Sequence, residues 1–184
     1  MLNIISLPNI DTLYSVDIGY GTSGPTHPLP LLENQPPTQA CLPSQSLLTL
    51  SKPFPHTPPM WHYNYRHTPS ADWTPAYAFH TYEFSPADFE VMNFWTSRSK
   101  EIFFTREVVC AKMMVVDGEL GGFVSLHEGV VKTVKGGEKV ERKLGSEEER
   151  VKCLKEDFGL ELNEEEVKGI RGTVAELRGN KESE

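Results

Sequence analysis

The sequence predicts an α+β fold: an incomplete, β-barrel-like first half, followed by an antiparallel sheet covered by a helix. Three observations point there. Short apolar and aromatic runs of strand length are separated by glycine turns, two helix starts carry acidic capping signatures, and most prolines fall between residues 24 and 60.

Met1 to Ile5 is a first short apolar run, and the run that ends in Val16-Asp17-Ile18 is a second, which delivers Asp17 into the loop Gly19-Tyr20-Gly21-Thr22-Ser23-Gly24. A carboxylate between Val16 and Ile18 is costly to bury unpaired, so a hydrogen-bonding or cationic partner is expected, for example an imidazole that it orients. Residues 24 to 60 show few alternating patterns and are expected as a long extended loop. Tyr77 to Phe84 alternates aromatic and polar groups as a strand does. Ser85-Pro86-Ala87-Asp88 then opens a helix, with Ser at the cap, Pro in the first turn and acids near the positive end of the dipole. That helix is expected to run to about Thr96.

Strands are expected next at Val108 to Val116, Gly122 to His127 and Val130 to Val134, with Asp117-Gly118 and Gly136-Gly137 as the turns of a meander. Ser146-Glu147-Glu148-Glu149 is a capping box, and Val151, Leu154 and Phe158 recur at helical spacing before Gly159, so one stripe can cover the sheet. Asn163 and three glutamates start a second short helix. The division is expected near residue 98: a partial barrel-like domain over 1–98, an α+β module over 99–178, and a disordered tail over 179–184.

Gly19-x-Gly21-x-x-Gly24 has the letters of a dinucleotide fingerprint. Such a motif must open a helix whose N-terminus holds the pyrophosphate, and Pro25, Pro28 and Pro30 prevent one here. What remains is a loop whose backbone can approach a ligand closely, or a plain tight turn.

The formal net charge of −8 opposes nucleic-acid binding. Lys139, Arg142, Lys143, Arg150 and Lys152 are interleaved with glutamates and are expected as a solvated face. No stretch approaches the roughly 20 apolar residues that span a bilayer, and no basic region precedes the short apolar start, so no membrane partner is expected. Three widely spaced cysteines form no disulfide framework and fit a reduced cytoplasm. Cys110 reads as a small buried hydrophobe, Cys41 lies in a proline-rich stretch and Cys153 falls in a helical one, so none is a convincing nucleophile. Trp61-His62-Tyr63-Asn64-Tyr65-Arg66-His67 is rich in metal-capable groups but lacks a cysteine pair or a His-Glu helix spacing, and no metal is expected.

Val16-Asp17-Ile18-Gly19-Tyr20-Gly21-Thr22-Ser23-Gly24-Pro25-Thr26-His27-Pro28-Leu29-Pro30-Leu31 resembles the catalytic-aspartate segment of the arylamine N-acetyltransferases, the fungal type in particular. Trp73 to Phe79, Phe84 to Ser97, Phe103 to Cys110 and Leu144 to Leu160 follow that family's later blocks in order. The resemblance covers essentially the whole chain and implies the second and third domains of the acetyltransferase fold, with the third domain as a lid-like module.

It also implies acyl transfer from acetyl-CoA to an arylamine or hydrazine through a Cys-His-Asp triad, with the acyl group carried on the cysteine. Asp17 matches the aspartate and would hold the imidazole without itself taking a proton. Gly21 and Thr22 would contact CoA, Tyr20 would line the acceptor pocket, and Thr105 with Arg106 would lie near the cofactor's phosphates. Arg106 departs from a smaller family residue, and a plain strand-edge arginine is an equal alternative. The family's cysteine and histidine match nothing here and would lie upstream of Met1, so the chain alone is expected to be inactive. Two alternatives stay open: a non-catalytic homologue that binds CoA or a full-length relative, through surface left by a missing helical domain, and an unstable fragment.

Overall fold

A computed structural model describes residues 2–177, which form eleven strands, three α-helices and three antiparallel sheets. The protein is α+β. It divides into two compact units: Met1–Glu83 with Val115–Gly122, and Phe84–Met114 with Phe123–Glu184. The tail expected over 179–184 lies outside the described residues, as does residue 178 at the end of the expected second domain. No helix among the described residues is long and apolar enough to cross a membrane.

In the first unit, β1 (Asn3–Leu7), β2 (Ile10–Val16) and β3 (Leu29–Pro30) form one sheet in that order. The second sheet runs β4 (Thr38–Gln39), β5 (Gln45–Ser51), β6 (Met60–Arg66) and β7 (Thr74–Phe79). The stretch 24–60 is therefore not one long loop. It contains β3, β4 and β5, because Ser46, Leu48 and Leu50 alternate onto one face while their neighbours face away, a period-two pattern that the flanking prolines obscure. The strand expected from Tyr77 to Phe84 starts earlier, at Thr74, and ends at Phe79. Tyr63 pairs with Tyr77 and Asn64 with Pro75, so Ala76 is an extra residue in the ladder, and a bulge accommodates Pro75 there.

Leu29, Leu48, Trp61 and Tyr63 form this unit's buried core, with Leu50, Tyr65, Tyr77 and Phe79 packed against it. Those on β5, β6 and β7 come from one face of their sheet, one residue in two, and Leu29 comes from the other sheet. The opposite face of β5 and β6 is polar: His62 Nε2 lies 2.8 Å from Ser51 Oγ, and Asn64 donates to Thr49 Oγ1 at 3.2 Å.

In the second unit, α1 (Pro86–Arg98) begins as expected at a capping box. Ser85 Oγ donates to Asp88 Oδ2 at 2.7 Å and Ser85 N–H to the same oxygen at 2.8 Å, and these bonds, the hydroxyl's first, lower the Asp88 carboxyl from its ordinary value. No residue of α1 is buried. A four-stranded sheet, of which residues 115–122 are counted with the first unit, follows in the order β11, β10, β9, β8, from β8 (Cys110–Val116), β9 (Glu119–His127), β10 (Val130–Lys135) and β11 (Glu138–Lys143). The charged run expected as a solvated face contributes β11, an edge strand exposed along its whole length.

The helix α2 (Glu147–Cys153) passes into a wider π-type turn at Leu154–Phe158 and stops at Gly159, whose φ of 76° an L side chain rarely adopts. Cys153, Leu154 and Phe158 join Val124, Leu126, Val131 and Leu144 in the second core, while Val151 is only half-buried. The expected stripe holds at Leu154 and Phe158 and gains Cys153, with Val151 at its margin. Arg150 departs furthest from expectation: it is 2% exposed, not solvated. Its Nε donates to Glu147 Oε1 at 2.9 Å, Nη2 pairs with Glu147 Oε2, and Nη1 donates to the Ala175 carbonyl at 2.9 Å. A charge inside the helical spacing can be buried because its counter-charge sits one turn away. A short helix, α3 (Glu164–Gly169), starts at the Asn163 capping box.

Candidate active-site loop and its aromatic floor

Strand β2 ends at Val16, so Asp17 is the first residue of the loop rather than a strand residue between two buried neighbours. Ile18 is 96% exposed and Asp17 is half-buried, so the carboxylate that the second apolar run delivers into the loop is not fully buried. Its Oδ1 accepts the Gly19 N–H at 2.9 Å, a local Asx-type turn that fixes the carboxylate while the other oxygen is not used by that turn.

The loop closes with the Gly24 N–H donating to the Gly21 carbonyl at 3.0 Å. Gly21 has φ of 96° and nothing within 4 Å of where a Cβ would stand. The backbone there is open to a ligand, and a side chain would be strained. Gly24 is the opposite case: a Cβ would come within 3.1 Å of both the Gly21 carbonyl and Tyr20.

Three tyrosines form the floor beside Asp17. Tyr63 and Tyr77 stack with 5.1 Å between ring centroids, and Tyr20 lies 5.2 Å from Tyr77 and 6.1 Å from Tyr63. Tyr63 is fully buried; its hydroxyl donates to the Ser23 carbonyl at 2.8 Å and lies 3.0 Å from Ser46 Oγ. Burial pushes the Tyr63 phenol up to about 12. Burial also pushes the Tyr77 phenol far above its ordinary value, and the neighbouring Asp17 carboxylate pushes it further; Tyr20 rises for the same first reason. These phenols remain protonated over the physiological range. Asp17, Tyr20, Gly21 and Thr22 are thus brought together. Tyr63 and Tyr77 were not singled out from the sequence, although the alternation of Trp61, Tyr63 and Tyr65 was a legible strand signal.

Thr105 and Arg106 belong to the second unit. Thr105 ends a 3-10 turn, Phe103–Thr105, and its hydroxyl oxygen lies 2.8 Å from the Ser99 carbonyl and 2.9 Å from that of Ile102, two acceptors that share its one proton. Arg106 is exposed and follows that turn, whereas β8 starts only at Cys110, so the strand-edge alternative does not hold. It lines a cavity of about 180 Å³ with Glu107, Glu128, Arg150 and residues 174–177.

The three thiols are all disfavoured as thiolates. Burial raises Cys41 and Cys110, and burial followed by the Asp157 carboxylate raises Cys153 to about 11. Among the described residues, no group of three or more His, Cys, Asp or Glu could hold a metal ion.

The family model described as N-acetyltransferase matches residues 1–167. N-malonyltransferase FDB2 of Gibberella moniliformis is 34% identical, over 87% of this chain and 50% of that protein. The N-malonyltransferase FDB2 of Fusarium pseudograminearum (strain CS3096) is also 34% identical, over 92% of this chain and 53% of the relative. The chain spans about half the length of the curated relatives it matches. Among solved structures, the arylamine N-acetyltransferase from Mycobacterium abscessus aligns with a TM-score of 0.76 at 16% identity, covering 90% of this chain and 55% of that one. The Mycobacterium marinum arylamine N-acetyltransferase in complex with CoA aligns at 0.68 and 20% identity, covering 86% and 53%. These alignments show a shared fold.

Proposed function

Since the chain belongs to the arylamine N-acetyltransferase family, we propose that it supplies the aspartate, the acyl-CoA loop and the acceptor floor of an acyl-CoA:amine acyltransferase. The observation that carries this reading is the Asp17 carboxylate, held by the Gly19 N–H at 2.9 Å at the mouth of a glycine loop and beside three protonated phenols. A carboxylate so placed can accept the N–H of an imidazole and hold its tautomer.

In this reading the imidazole keeps a thiol as thiolate. The thiolate attacks the acyl-CoA carbonyl, the carbon–sulfur bond to CoA breaks, and CoA leaves as thiol after taking a proton. The amine then attacks the new thioester and loses its proton to the imidazole as the thiolate is expelled. Asp17 orients and stabilises the imidazolium without becoming protonated. Gly21 and Thr22 approach the CoA arm, Tyr20 lines the acceptor side, and Thr105 and Arg106 serve the cofactor's phosphates. The acceptor is an arylamine or hydrazine. Both acetyl-CoA and malonyl-CoA are to be tested as donors, because the fungal relatives are named for malonyl transfer. No cysteine of this sequence suits the nucleophile's role, given three thiols whose burial opposes ionisation, so the 184 residues are assigned no turnover by themselves. A reducing cytoplasm suits the three free cysteines.

The test joins this chain to the first half of the Gibberella relative. The chimaera is expected to turn over acyl-CoA with an aromatic amine, and Asp17→Asn is expected to lower kcat by about 10³–10⁴-fold. Turnover by the isolated chain that disappears in Asp17→Asn would overturn the assignment of inactivity, and a chimaera indifferent to Asp17→Asn would overturn the role of Asp17.

A second reading, a non-catalytic homologue that associates with a full-length relative, is favoured by α1. That helix buries no residue and exposes Val91, Phe94 and Trp95, at 72%, 69% and 58%, on one side. Light scattering after size exclusion separates the readings: a monomer that ignores the full-length relative excludes the second.

A further inference from the structure

Tyr63 carries a hydroxyl where phenylalanine would fill the same space. Its residue is 0% exposed and its ring already stacks on Tyr77 at 5.1 Å, so packing alone gives no reason for a buried polar atom that costs free energy unless bonded. The hydroxyl donates its single proton to the Ser23 carbonyl at 2.8 Å, so in the 3.0 Å contact with Ser46 Oγ the serine is the donor. Ser46 is itself 1% exposed. The result is a directional chain that starts on β5, passes through β6 and ends on the backbone of the glycine loop.

The other bonds recorded for the loop between Asp17 and Gly24 are internal to it: Gly19 N–H to Asp17 Oδ1 at 2.9 Å, and Gly24 N–H to the Gly21 carbonyl at 3.0 Å. They give the loop its shape but do not tie it to the sheet. The Tyr63 hydroxyl ties the loop's backbone to the sheet, while the Tyr77 phenol meets the loop only at the Asp17 carboxylate. Residues Gly21 and Thr22 lie directly before the tethered carbonyl, and Asp17 begins the same loop.

We infer that Tyr63 is a positioning residue for acyl-CoA: its hydroxyl clamps the Ser23 carbonyl so that the backbone at Gly21 and Thr22 is preorganised to receive the CoA arm. This role rests on the assignment of Gly21 and Thr22 made above. Loss of the clamp leaves the ring, the stack and the sheet in place but lets the loop sample other shapes, and affinity falls by the fraction of time the competent shape is populated.

The experiment compares the full chain with Tyr63→Phe and Ser46→Ala, using CoA itself as the calorimetric probe and millisecond amide hydrogen exchange as the structural one. In Tyr63→Phe, exchange at Ser23 and Gly24 is expected to rise about tenfold while the β5 and β6 amides stay protected. The Kd for CoA is expected to weaken by about five- to tenfold. Ser46→Ala removes the bond that Ser46 donates to the phenol and lowers stability but leaves the Tyr63 bond to Ser23, so both readouts should stay within about twofold of the parent. A merely structural role would move both variants alike. Parent-like exchange and Kd in Tyr63→Phe, or equal effects in the two variants, would overturn the inference. If the parent chain does not bind CoA, the assignment of the loop fails and the positioning role falls with it, whereas a parent that binds normally beside an unaffected Tyr63→Phe rejects the positioning role alone.

Discussion

Tyr63 and Tyr77 stand opposite each other on neighbouring strands, their rings stacked at 5.1 Å with 25° between planes, and both phenols are held protonated by burial. The pair makes stability depend on alkali in a defined window. Below the ordinary phenol value of 10.0, folded and unfolded states carry the same protons and the contribution is constant. Above it the unfolded phenol ionises while folded Tyr63 keeps its proton until about 12. Stability therefore falls as pH rises through that interval, by up to about 1.4 kcal/mol per pH unit for each phenol, and levels off above the folded value. Urea midpoints measured from about pH 8 to about pH 12 should decline beyond the ordinary phenol value, and Tyr63→Phe should flatten part of that decline. An unchanged slope in Tyr63→Phe would contradict the shift assigned to Tyr63.

Arg150 and Glu147 tie the segment after α3 to α2, since Arg150 Nη1 holds the Ala175 carbonyl at 2.9 Å and Glu147 Oε2 accepts the Leu177 N–H at 3.2 Å. Removing the arginine strands a largely buried carboxylate and a carbonyl together. Arg150→Ala is expected to lower unfolding stability by about 3–5 kcal/mol, and Arg150→Met by less, because its stem keeps the packing. Denaturant unfolding would count against this if Arg150→Ala lost less than about 1 kcal/mol.

What was legible in the sequence is what local chemistry dictates. Ser85 with Asp88, Asn163 with Glu166, and the Asp117-Gly118 and Gly136-Gly137 turns each act within a few residues, and each element boundary they announce is present. What was hidden depends on partners far along the chain. The alternation of Trp61, Tyr63 and Tyr65 was legible as a strand but its place beside the loop was not, and Leu48 was masked by the prolines on either side. Arg150 looked like one more cation in a charged run because its burial is decided by Ala175 and Leu177. At the site, the loop from Asp17 to Gly24 could be read from its residues, but its floor could not, because Tyr77 reaches it only through the register of β7 on β6.

The turn that the sequence did not announce is Glu128-Gly129, where both residues have positive φ, 49° and 72°. This is the geometry of a two-residue hairpin turn that matches strand twist, and a glutamate is poorly suited to its first position. Glu128→Asn keeps a polar side chain and tolerates the left-handed region, so it should stabilise the protein by about 0.5–1 kcal/mol, read as a rise in the thermal midpoint. A fall instead would mean that Glu128 makes a contact worth more than its backbone strain.

The inactivity assigned to the isolated chain requires that none of its thiols behaves as a nucleophile, and that can be measured without any substrate. Cys41 is buried and its Sγ lies 3.5 Å from the Gly122 carbonyl, and Cys153 donates to Asp157 Oδ2 at 3.2 Å with its thiol pushed up to about 11. A carboxylate acceptor stabilises the thiol form, the reverse of the imidazolium that activates a catalytic cysteine. Cys110, half-buried at the edge of the second core, is raised by burial as well. At neutral pH all three should alkylate at least about tenfold more slowly with iodoacetamide than a free thiol, with Cys110 first, and all three should react at the free rate once unfolded. A single cysteine that reacts faster than free thiol in the folded chain would identify a nucleophile within these residues and reopen the question of catalysis by this chain alone.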